Sequence, residues 1–336
     1  MKLKLAVGIV LVAQLSAPLM AKEKVVYGDD NRVNANESTN DLFKTLAKST
    51  AAMIPVSAVE KSMEGILSKI SGKTLKESNR LCDGERFEAQ QTAAMCSGFL
   101  VGPDLLVTAG HCMRGGPDLA DATESKNLNC LNNYWVFDYR QDLIGDNPGE
   151  VYVNSKSVYK CAKVISQVLD QSTKNDFALI KLERVVEDRD PLKFRTEGKI
   201  EDATEIVVIG HPSGLPTIIS DGAQVRTNTN PYFFVANLDT FGGNSGSAVF
   251  DSETGLVEGI LVRGENDYKY NPERGCTEVF TCENDKCRGE DVTRITMIPE
   301  LAPGQQPVAP VVVTPVTPSV LDFPFFMGSI NFEDLE

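Results

Sequence analysis

The chain has 336 residues, of which 42% are hydrophobic, so it is long enough to form one large hydrophobic core or two small ones. Its formal net charge of -14 argues against nucleic acid and anionic membranes as partners. The charge fits a soluble protein that resists nonspecific association and attracts basic substrates weakly.

The first 21 residues predict a secretory signal peptide. Two lysines precede an apolar run over 5–15, and Ala21 stands just before a polar segment. We expect cleavage after Ala21, with Ala17 as the second choice. The apolar run is too short to cross a bilayer, and no cysteine follows closely to carry a lipid anchor. The sequence therefore predicts an exported protein, secreted or periplasmic, without membrane insertion; it does not indicate an oligomeric state, and we favour a monomer.

Three segments are predicted after the leader: a short pro-segment over 22–24, one domain over 25–300, and an acidic Pro-rich tail over 301–336. The tail contains six prolines and no Lys or Arg, a composition typical of an extended, disordered segment. Its four phenylalanines favour the alternative of a tail that docks on the domain or is removed on maturation.

Helices are predicted only in the first third of the chain, over 40–49 with Asn40 as the cap, and over 63–70. From Cys96 onward, short β-branched runs alternate with Gly, Pro, Asn and Asp. This pattern predicts an all-β fold, either a barrel or a sandwich. The predicted strands cover 99–101, 105–108, 134–137, 177–182, 205–209, 248–250, 256–262 and 294–298.

A histidine suited to general-base catalysis stands in the string TAGHC, 108–112, just beyond a predicted strand. The chain has two histidines, so a histidine base is either His111 or His211. His211 lies in the string IGHPSGLP, where proline and glycine predict a turn packed by its neighbours. We therefore expect His111 to be the base.

An aspartate that would orient this histidine begins the string DFALIKL, 176–182. Asp176 enters an apolar strand, where a carboxylate is shielded from water and hydrogen-bonds an imidazole. Asp138 and Asp170 are the competing candidates, and we expect each to be a surface or turn residue.

A serine nucleophile is predicted in the glycine-rich string GGNSGS, 242–247. A serine hydroxyl attacks a peptide carbonyl only when a base takes its proton, which the histidine supplies. Ser245 is the predicted nucleophile, and Ser247 is the neighbour most easily mistaken for it. Glycines let the N–H groups of Gly243 and Ser245 approach a carbonyl oxygen closely, as an oxyanion hole requires.

In this order, the three strings resemble the trypsin/chymotrypsin superfamily of serine peptidases, and within it the bacterial branch of the glutamyl endopeptidases. The resemblance covers roughly 25–298 and includes the strings VVYGDDNR, 25–32, and GHPSGLP, 210–216. It implies two six-stranded antiparallel barrels with the catalytic triad between them, and it requires no cofactor. It also implies a zymogen in which a second cut, after Lys24, frees Val25.

Eight cysteines in an exported chain favour disulfides. The resemblance implies a bridge between Cys96 and Cys112, because animal trypsins carry one beside their histidine. The spacing of the other six does not select among their fifteen pairings. A zinc site in the last three cysteines is the alternative, but they contain no CxxC pair and no histidine is near, so we expect no metal. The six are Cys82, Cys130, Cys161, Cys276, Cys282 and Cys287.

Two departures from the resembled families affect activation and specificity. Asn244 stands where animal trypsins carry an aspartate that binds a newly cut N-terminus, so that activating ion pair is not expected. The stretch 259–264 lacks the pocket histidine on which the glutamyl enzymes rely, so a preference for Glu is not indicated.

A substrate pocket is predicted at Asp239, Thr240 and Gly264. Asp239 falls where trypsins place the acid that binds Arg or Lys, and Gly264 would leave the pocket open. We therefore expect cleavage after basic residues. The alternative is that Asp239 faces solvent, or that Arg263 neutralises it.

The sequence thus predicts an exported serine endopeptidase that acts on proteins or peptides through an acyl-enzyme. Two other functions stay open. One is a periplasmic quality-control protease, which the IGHPSGLP string favours but the short tail does not. The other is a protease-fold protein used for binding or adhesion, although the chain retains all three members of the predicted triad.

Overall fold

The computed structural model describes residues 25–62, 64–114 and 128–304. The described residues belong to one compact unit. The predicted signal peptide and pro-segment lie outside the described residues, as does the predicted tail from residue 305 onward.

The described residues form mainly short strands. The strands are β1 (Val26–Tyr27), β2 (Arg32–Asn34), β3 (Thr50–Pro55), β4 (Val59–Lys61), β5 (Leu67–Ser71), β6 (Lys73–Thr74), β7 (Gln91–Thr92), β8 (Cys96–Gly102), β9 (Leu105–Thr108), β10 (Asn133–Phe137), β11 (Glu150–Asn154), β12 (Val158–Leu169), β13 (Asp176–Leu182), β14 (Glu205–Gly210), β15 (Ile218–Thr227), β16 (Phe233–Ala236), β17 (Ala248–Asp251), β18 (Val257–Arg263), β19 (Tyr268–Asn271), β20 (Cys276–Val279), β21 (Thr281–Cys282) and β22 (Glu290–Arg294). The α-helices are α1 (Asp41–Ala47), α2 (Leu75–Asn79) and α3 (Leu128–Asn132).

Two closed six-stranded antiparallel barrels form the body of the protein. The first has the order β10-β12-β13-β9-β8-β3 and closes through the pairing of β3 with β10. The second has the order β14-β17-β18-β22-β16-β15 and closes through the pairing of β15 with β14. β2, from the start of the chain, pairs with β15 of the second barrel. The predicted all-β double barrel is confirmed.

Strands β14, β17 and β18 of the second barrel are buried on both faces, which explains their largely apolar sequences. Neighbouring side chains of a strand point to opposite faces. In β14, Ile206 and Val208 point into the barrel core, whereas Val207 and Ile209 join a larger core shared with the first barrel. The two barrels therefore share one hydrophobic interface, and residues carried by one are held firmly against the other.

The predicted helix over 40–49 is found as α1, and the Asn40 side chain accepts hydrogen bonds from the backbone of Leu42 and Phe43. The helix predicted over 63–70 is wrong: β5 lies there, because Ser68 and Ile70 are buried at alternating positions. The last predicted strand, 294–298, is also misplaced, since β22 ends at Arg294 and a 3₁₀ turn follows.

Four disulfides link all eight cysteines: Cys82–Cys276, Cys96–Cys112, Cys130–Cys161 and Cys282–Cys287. The pairing implied by the resemblance is therefore present, and the three pairings left open are resolved. No described helix is long and apolar enough to cross a membrane.

The disulfides differ most in the length of chain that they close. Cys82 and Cys276 are 194 residues apart in sequence, and Cys282 and Cys287 are 5 apart. If a disulfide acts by restricting the unfolded chain, the long loop contributes about 5 kcal/mol and the short one about 2 kcal/mol.

We therefore predict that the Cys82→Ala/Cys276→Ala pair lowers the free energy of unfolding more than the Cys282→Ala/Cys287→Ala pair does. Urea titration of the two double variants and the parent measures this directly. Equal losses, or a larger loss from the short loop, would contradict the entropic account.

Candidate active site

His111 and Asp176 meet at one end of the first barrel. β9 ends at Thr108 and is followed by a 3₁₀ turn, Gly110–Met113, that carries His111. Asp176 is the first residue of β13, the antiparallel neighbour of β9. Its Oδ2 lies 2.9 Å from His111 Nδ1, and its Oδ1 accepts a hydrogen bond from the His111 backbone N–H at 3.1 Å. The aspartate thus holds both the ring and the backbone of the histidine.

A glycine allows the turn before His111 to approach its neighbours. A Cβ atom added to Gly110 would lie 2.0 Å from the carbonyl oxygen of Val168 in β12. The side-chain amide of Gln167 donates to the Gly110 carbonyl at 2.5 Å. The turn is therefore held against β12, and this contact fixes where the histidine leaves the barrel.

Asp176 is ionised although only 2% of it is exposed. Burial disfavours the charged form and would raise its pKa. Hydrogen bonds and charge from His111, together with the charge of Arg263, outweigh burial, so the pKa of Asp176 lies below its ordinary value.

An ionised carboxylate at Nδ1 selects one tautomer of the histidine. The Asp176 oxygens only accept hydrogen bonds, so Nδ1 of His111 carries the donated proton. The lone pair of the neutral ring is then at Nε2, which leaves this nitrogen able to accept a proton. The His111 side chain is 19% exposed, so a substrate can reach the ring.

Ser245 lies in the turn before β17 of the second barrel, against the strand end that carries His111. The Ser97 backbone N–H donates to the Ser245 carbonyl at 2.8 Å. Gly246 has a φ of +89°, and a Cβ added there would lie 2.1 Å from the Ser97 carbonyl and 2.3 Å from Thr108 Oγ1. Only glycine fits this approach, so the serine turn docks directly on β8 and β9 of the first barrel.

The disulfide beside His111 also contacts the serine turn. Cys112 Sγ lies 3.6 Å from the Ser245 carbonyl oxygen, and the bridge to Cys96 fixes that sulfur. Within the described residues, Ser245 Oγ has no hydrogen-bond partner, and 6% of the residue is exposed. The hydroxyl is therefore uncommitted and lies beside the histidine turn.

Ser247, the neighbouring serine, has a structural role. It is completely buried, and its hydroxyl donates to Asn244 Oδ1 at 3.1 Å. A Cβ added to Gly210 would lie 1.8 Å from Ser247 Oγ, so β14 covers this hydroxyl. No substrate reaches it in this arrangement.

Hydrogen bonds to the carbonyls of Gly242 and Gly243 fix the backbone around Gly243. The Gly242 carbonyl accepts a hydrogen bond from the Ser213 N–H. The carbonyl and the next N–H of a trans peptide point in opposite directions, so the Gly243 N–H points away from Ser213. Gly243 has a φ of +92°, and its carbonyl accepts from Ser97 Oγ at 2.8 Å. Among the described residues no acceptor occupies the N–H of Gly243 or Ser245.

The competing candidates of the sequence analysis have other partners. Asp138 binds Arg189 and the Ser157 hydroxyl, and Asp170 caps its own turn through Ser172. His211 is completely buried, with Nδ1 lying 3.0 Å from the Leu215 carbonyl. Burial lowers the pKa of His211 to about 4, so this ring is neutral at pH 7 and enclosed by protein.

Asp239 does not face an open pocket, contrary to the sequence-based prediction. It is 3% exposed, and its two oxygens accept hydrogen bonds from the backbone of Tyr27 at 2.7 Å and Asn31 at 3.1 Å. Burial raises the pKa of Asp239 to about 6, although these two hydrogen bonds oppose the shift. The carboxylate therefore holds the N-terminal segment. The prediction was wrong because the sequence offset from the serine does not determine where a side chain points.

Thr240 and Gly264, the other two predicted pocket residues, both lie against Glu290 of β22. Thr240 Oγ1 donates to Glu290 Oε2 at 2.7 Å. A Cβ added to Gly264 would lie 1.9 Å from the same oxygen. Glu290 is completely buried between them. The acidic side chain next to Thr240 and Gly264 is therefore Glu290 and not Asp239.

Arg263 does not neutralise Asp239. Its Nε lies 3.0 Å from Asp291 Oδ2, and its Nη1 lies 3.5 Å from Asp176 Oδ2. Within the described residues, the one group of three potential metal-ligating side chains is Cys96, His111 and Cys112. Both sulfurs belong to one disulfide, so they are not thiolate ligands.

Sequence reasoning missed Ser97 and Glu290 near the site, and it gave Arg263 the wrong partner. Ser97 bonds to the serine turn, Glu290 lies between the predicted pocket residues, and Arg263 contacts Asp176. Ser97 directly follows Cys96, which the resemblance pairs with Cys112 beside His111, and this is the only signal for it in the sequence. Arg263 and Glu290 reach the site through strand pairing in the second barrel, which no local motif reveals.

The low pKa of His211 makes a pH-dependent contribution to stability. This histidine has a pKa of about 4 in the folded state and near 6.5 in the unfolded state. Its burial therefore does not affect the free energy of unfolding above pH 6.5, and it lowers that free energy as the pH falls. We predict that this one group removes about 3 kcal/mol of unfolding free energy between pH 6.5 and pH 4.

The matched variant is His211→Asn, since the asparagine amide replaces the donor to Leu215 and does not titrate. Denaturant unfolding at several pH values should show a shallower acid loss in His211→Asn than in the parent. Parallel stability curves for the two proteins would contradict the burial argument.

One protein family and several solved structures are similar to this chain. The profile of the trypsin-like peptidase domain matches residues 96–260. No curated protein matches the chain. Among solved structures, a Glu endopeptidase in complex with MPD is 17% identical, with 81% of this chain and 94% of that chain covered and a TM-score of 0.46. The active form of the Rv3671c protease from M. tuberculosis is 16% identical, with 76% and 80% covered and a TM-score of 0.39. Residues 96–260 thus match the trypsin-like peptidase domain, and the double barrel that contains them is the fold implied by the resemblance to the trypsin/chymotrypsin-like superfamily of serine peptidases.

Proposed function

We propose that this protein is a serine endopeptidase that hydrolyses peptide bonds through Ser245, His111 and Asp176. The observation that carries the proposal is the two-point contact of Asp176 with His111, next to the turn of Ser245. A histidine held in this tautomer is a general base only if a nucleophile is near, and the Ser245 hydroxyl is the uncommitted one.

In the proposed reaction, Ser245 Oγ attacks the scissile carbonyl while His111 Nε2 takes its proton. The positive charge that develops on the ring is stabilised by Asp176. The carbonyl oxygen becomes an oxyanion, which the N–H groups of Gly243 and Ser245 receive; such a site contributes a rate factor of about a hundred or more. His111 then returns the proton to the leaving amine, and water hydrolyses the acyl-enzyme by the same route.

We also propose that the substrates carry Arg or Lys before the scissile bond. This preference no longer depends on Asp239, whose oxygens hold the backbone of the N-terminal segment. Glu290 instead places a carboxylate between Thr240 and Gly264. The backbone N–H of Glu265 donates to the Glu290 carboxylate at 3.3 Å, and this hydrogen bond helps to fix the position of the carboxylate.

Export and maturation complete the proposal. Four disulfides are typical of an extracellular or periplasmic protein. Val25 is completely buried and its carbonyl accepts from the Thr240 N–H, while β1 pairs in parallel with β21. The segment that begins at Val25 thus packs on the second barrel, as a mature N-terminus produced by a cut after Lys24 would.

Ser245 is expected to be the only serine that reacts with a fluorophosphonate probe. We predict stoichiometric labelling of the parent and complete loss in Ser245→Ala, measured by intact-mass spectrometry. Ser247→Ala is the matched control; it should keep its reactivity in any protein that folds, because the Ser247 hydroxyl is buried. Labelling that survives in Ser245→Ala would mean that another residue is the nucleophile.

Glu290→Gln is expected to weaken the preference for basic residues, because it removes a charge and keeps the shape. We predict that the ratio of kcat/KM for an Arg peptide to that for an otherwise identical Gln peptide falls at least about tenfold. Glu265→Gln is the control, since its backbone rather than its side chain contacts Glu290. A ratio unchanged in Glu290→Gln would exclude this residue as the specificity acid.

A further inference from the structure

Arg263 connects the two barrels at the predicted catalytic aspartate. It is the last residue of β18 in the second barrel, whereas Asp176 begins β13 in the first. Its Nη1 lies 3.5 Å from Asp176 Oδ2, the oxygen that also contacts His111 Nδ1. Its Nη2 donates to the Lys174 carbonyl at 2.8 Å, in the turn that leads to Asp176.

The third nitrogen of the guanidinium is bound by an acid of the second barrel. Arg263 Nε lies 3.0 Å from Asp291 Oδ2, and Asp291 is itself 1% exposed. The same Asp291 oxygen contacts Arg288 at 2.5 Å. The guanidinium is also stacked 5.6 Å from the Phe233 ring centroid. Arg263 is therefore held in one orientation, with one nitrogen directed at Asp176.

We propose that Arg263 is a positioning residue that holds the turn of Asp176 against the second barrel and sets the charge balance of the Asp176–His111 pair. The proposal rests on the proposed function, because it assigns Arg263 a part in preparing the general base. Lysine would keep the charge without the planar set of three contacts.

The positive charge of Arg263 weakens the attraction between Asp176 and a protonated His111. A lone Asp176 carboxylate would favour the imidazolium form of His111 strongly. Arg263 lies within ion-pair distance of the same carboxylate oxygen, so its positive charge cancels part of that attraction, and removing Arg263 strengthens the attraction. A neutral ring is the form that accepts the serine proton.

Among the described residues, three strands contribute side chains to the pair or to the turn of His111. β13 provides Asp176 and β18 provides Arg263, while β12 provides the neutral side chain of Gln167. Asp291 acts through Arg263, and Arg288 acts through Asp291. Removing Arg263 or Asp291 should therefore shift the His111 titration in opposite directions.

The test is an NMR titration of the His111 ring protons in the full-length protein carrying Ser245→Ala, which prevents self-cleavage. The chain has two histidines, and buried His211 serves as an internal reference that should not move. We expect Arg263→Gln to move the His111 midpoint up by about half a pH unit or more, and Arg263→Lys by less than half of that shift.

Asp291→Asn is the second variant. It should move the His111 midpoint to lower pH, because the negative charge that partly compensates Arg263 is removed and the positive charge of Arg263 then acts more strongly on the pair. With Ser245 restored, the acid limb of kcat/KM should follow the NMR midpoints. Arg288→Gln is the matched control, since it contacts Asp291 but not Asp176, and its shift should be the smallest.

A midpoint in Arg263→Gln equal to that of the parent, or equal shifts in Arg263→Gln and Arg263→Lys, would overturn the charge role. If Arg263→Gln does not fold, the sign of the Asp291→Asn shift decides. The NMR titration needs no activity, so a protein that hydrolyses no peptide would refute the proposed function while this inference about the pair is judged separately.

Discussion

The arrangement of the site depends on one buried carboxylate. Asp176 binds the backbone and the ring of His111 with its two oxygens, and one of these oxygens also lies within ion-pair distance of Arg263. A buried carboxylate is costly unless such partners stabilise its charge. Here the partners come from both barrels, so the ionised state of Asp176 and the contact between the barrels support each other. The orientation of the histidine follows from this one group.

The rest of the fold brings the serine turn to that histidine. The shared core between the barrels fixes their relative position, and Ser97 bonds the backbone of Ser245 and Gly243 to the first barrel. Gly246 approaches Ser97 so closely that any side chain there would collide. The proposed active site is therefore assembled from backbone contacts across the interface, and among the described residues the Ser245 hydroxyl is left without a hydrogen-bond partner. This is the preorganisation that electrostatic catalysis requires.

The parts of the site that lie in local strings could be predicted from the sequence, and the parts that arise from strand pairing could not. His111 stands just beyond one strand and Asp176 begins another, and each position can be read from its own string. The two strands pair in the structure. Asp239 was assigned to the pocket from its offset to the serine, yet its oxygens point at the N-terminal segment. Glu290 lies between Thr240 and Gly264 only because β22 lies beside β18. The same limit applies to β5, where alternation over five residues was too short to distinguish from a helical turn.

The central claim is that His111 of the first barrel and Ser245 of the second act on one substrate carbonyl. The most direct measurement is a crystal structure of the protein with a peptide boronic acid. The account predicts a covalent bond from Ser245 Oγ to boron, with one boron-bound oxygen within hydrogen-bond distance of the N–H groups of Gly243 and Ser245, and His111 Nε2 facing the adduct. A boronate bound to another residue, or a His111 ring directed away from the adduct, would contradict it.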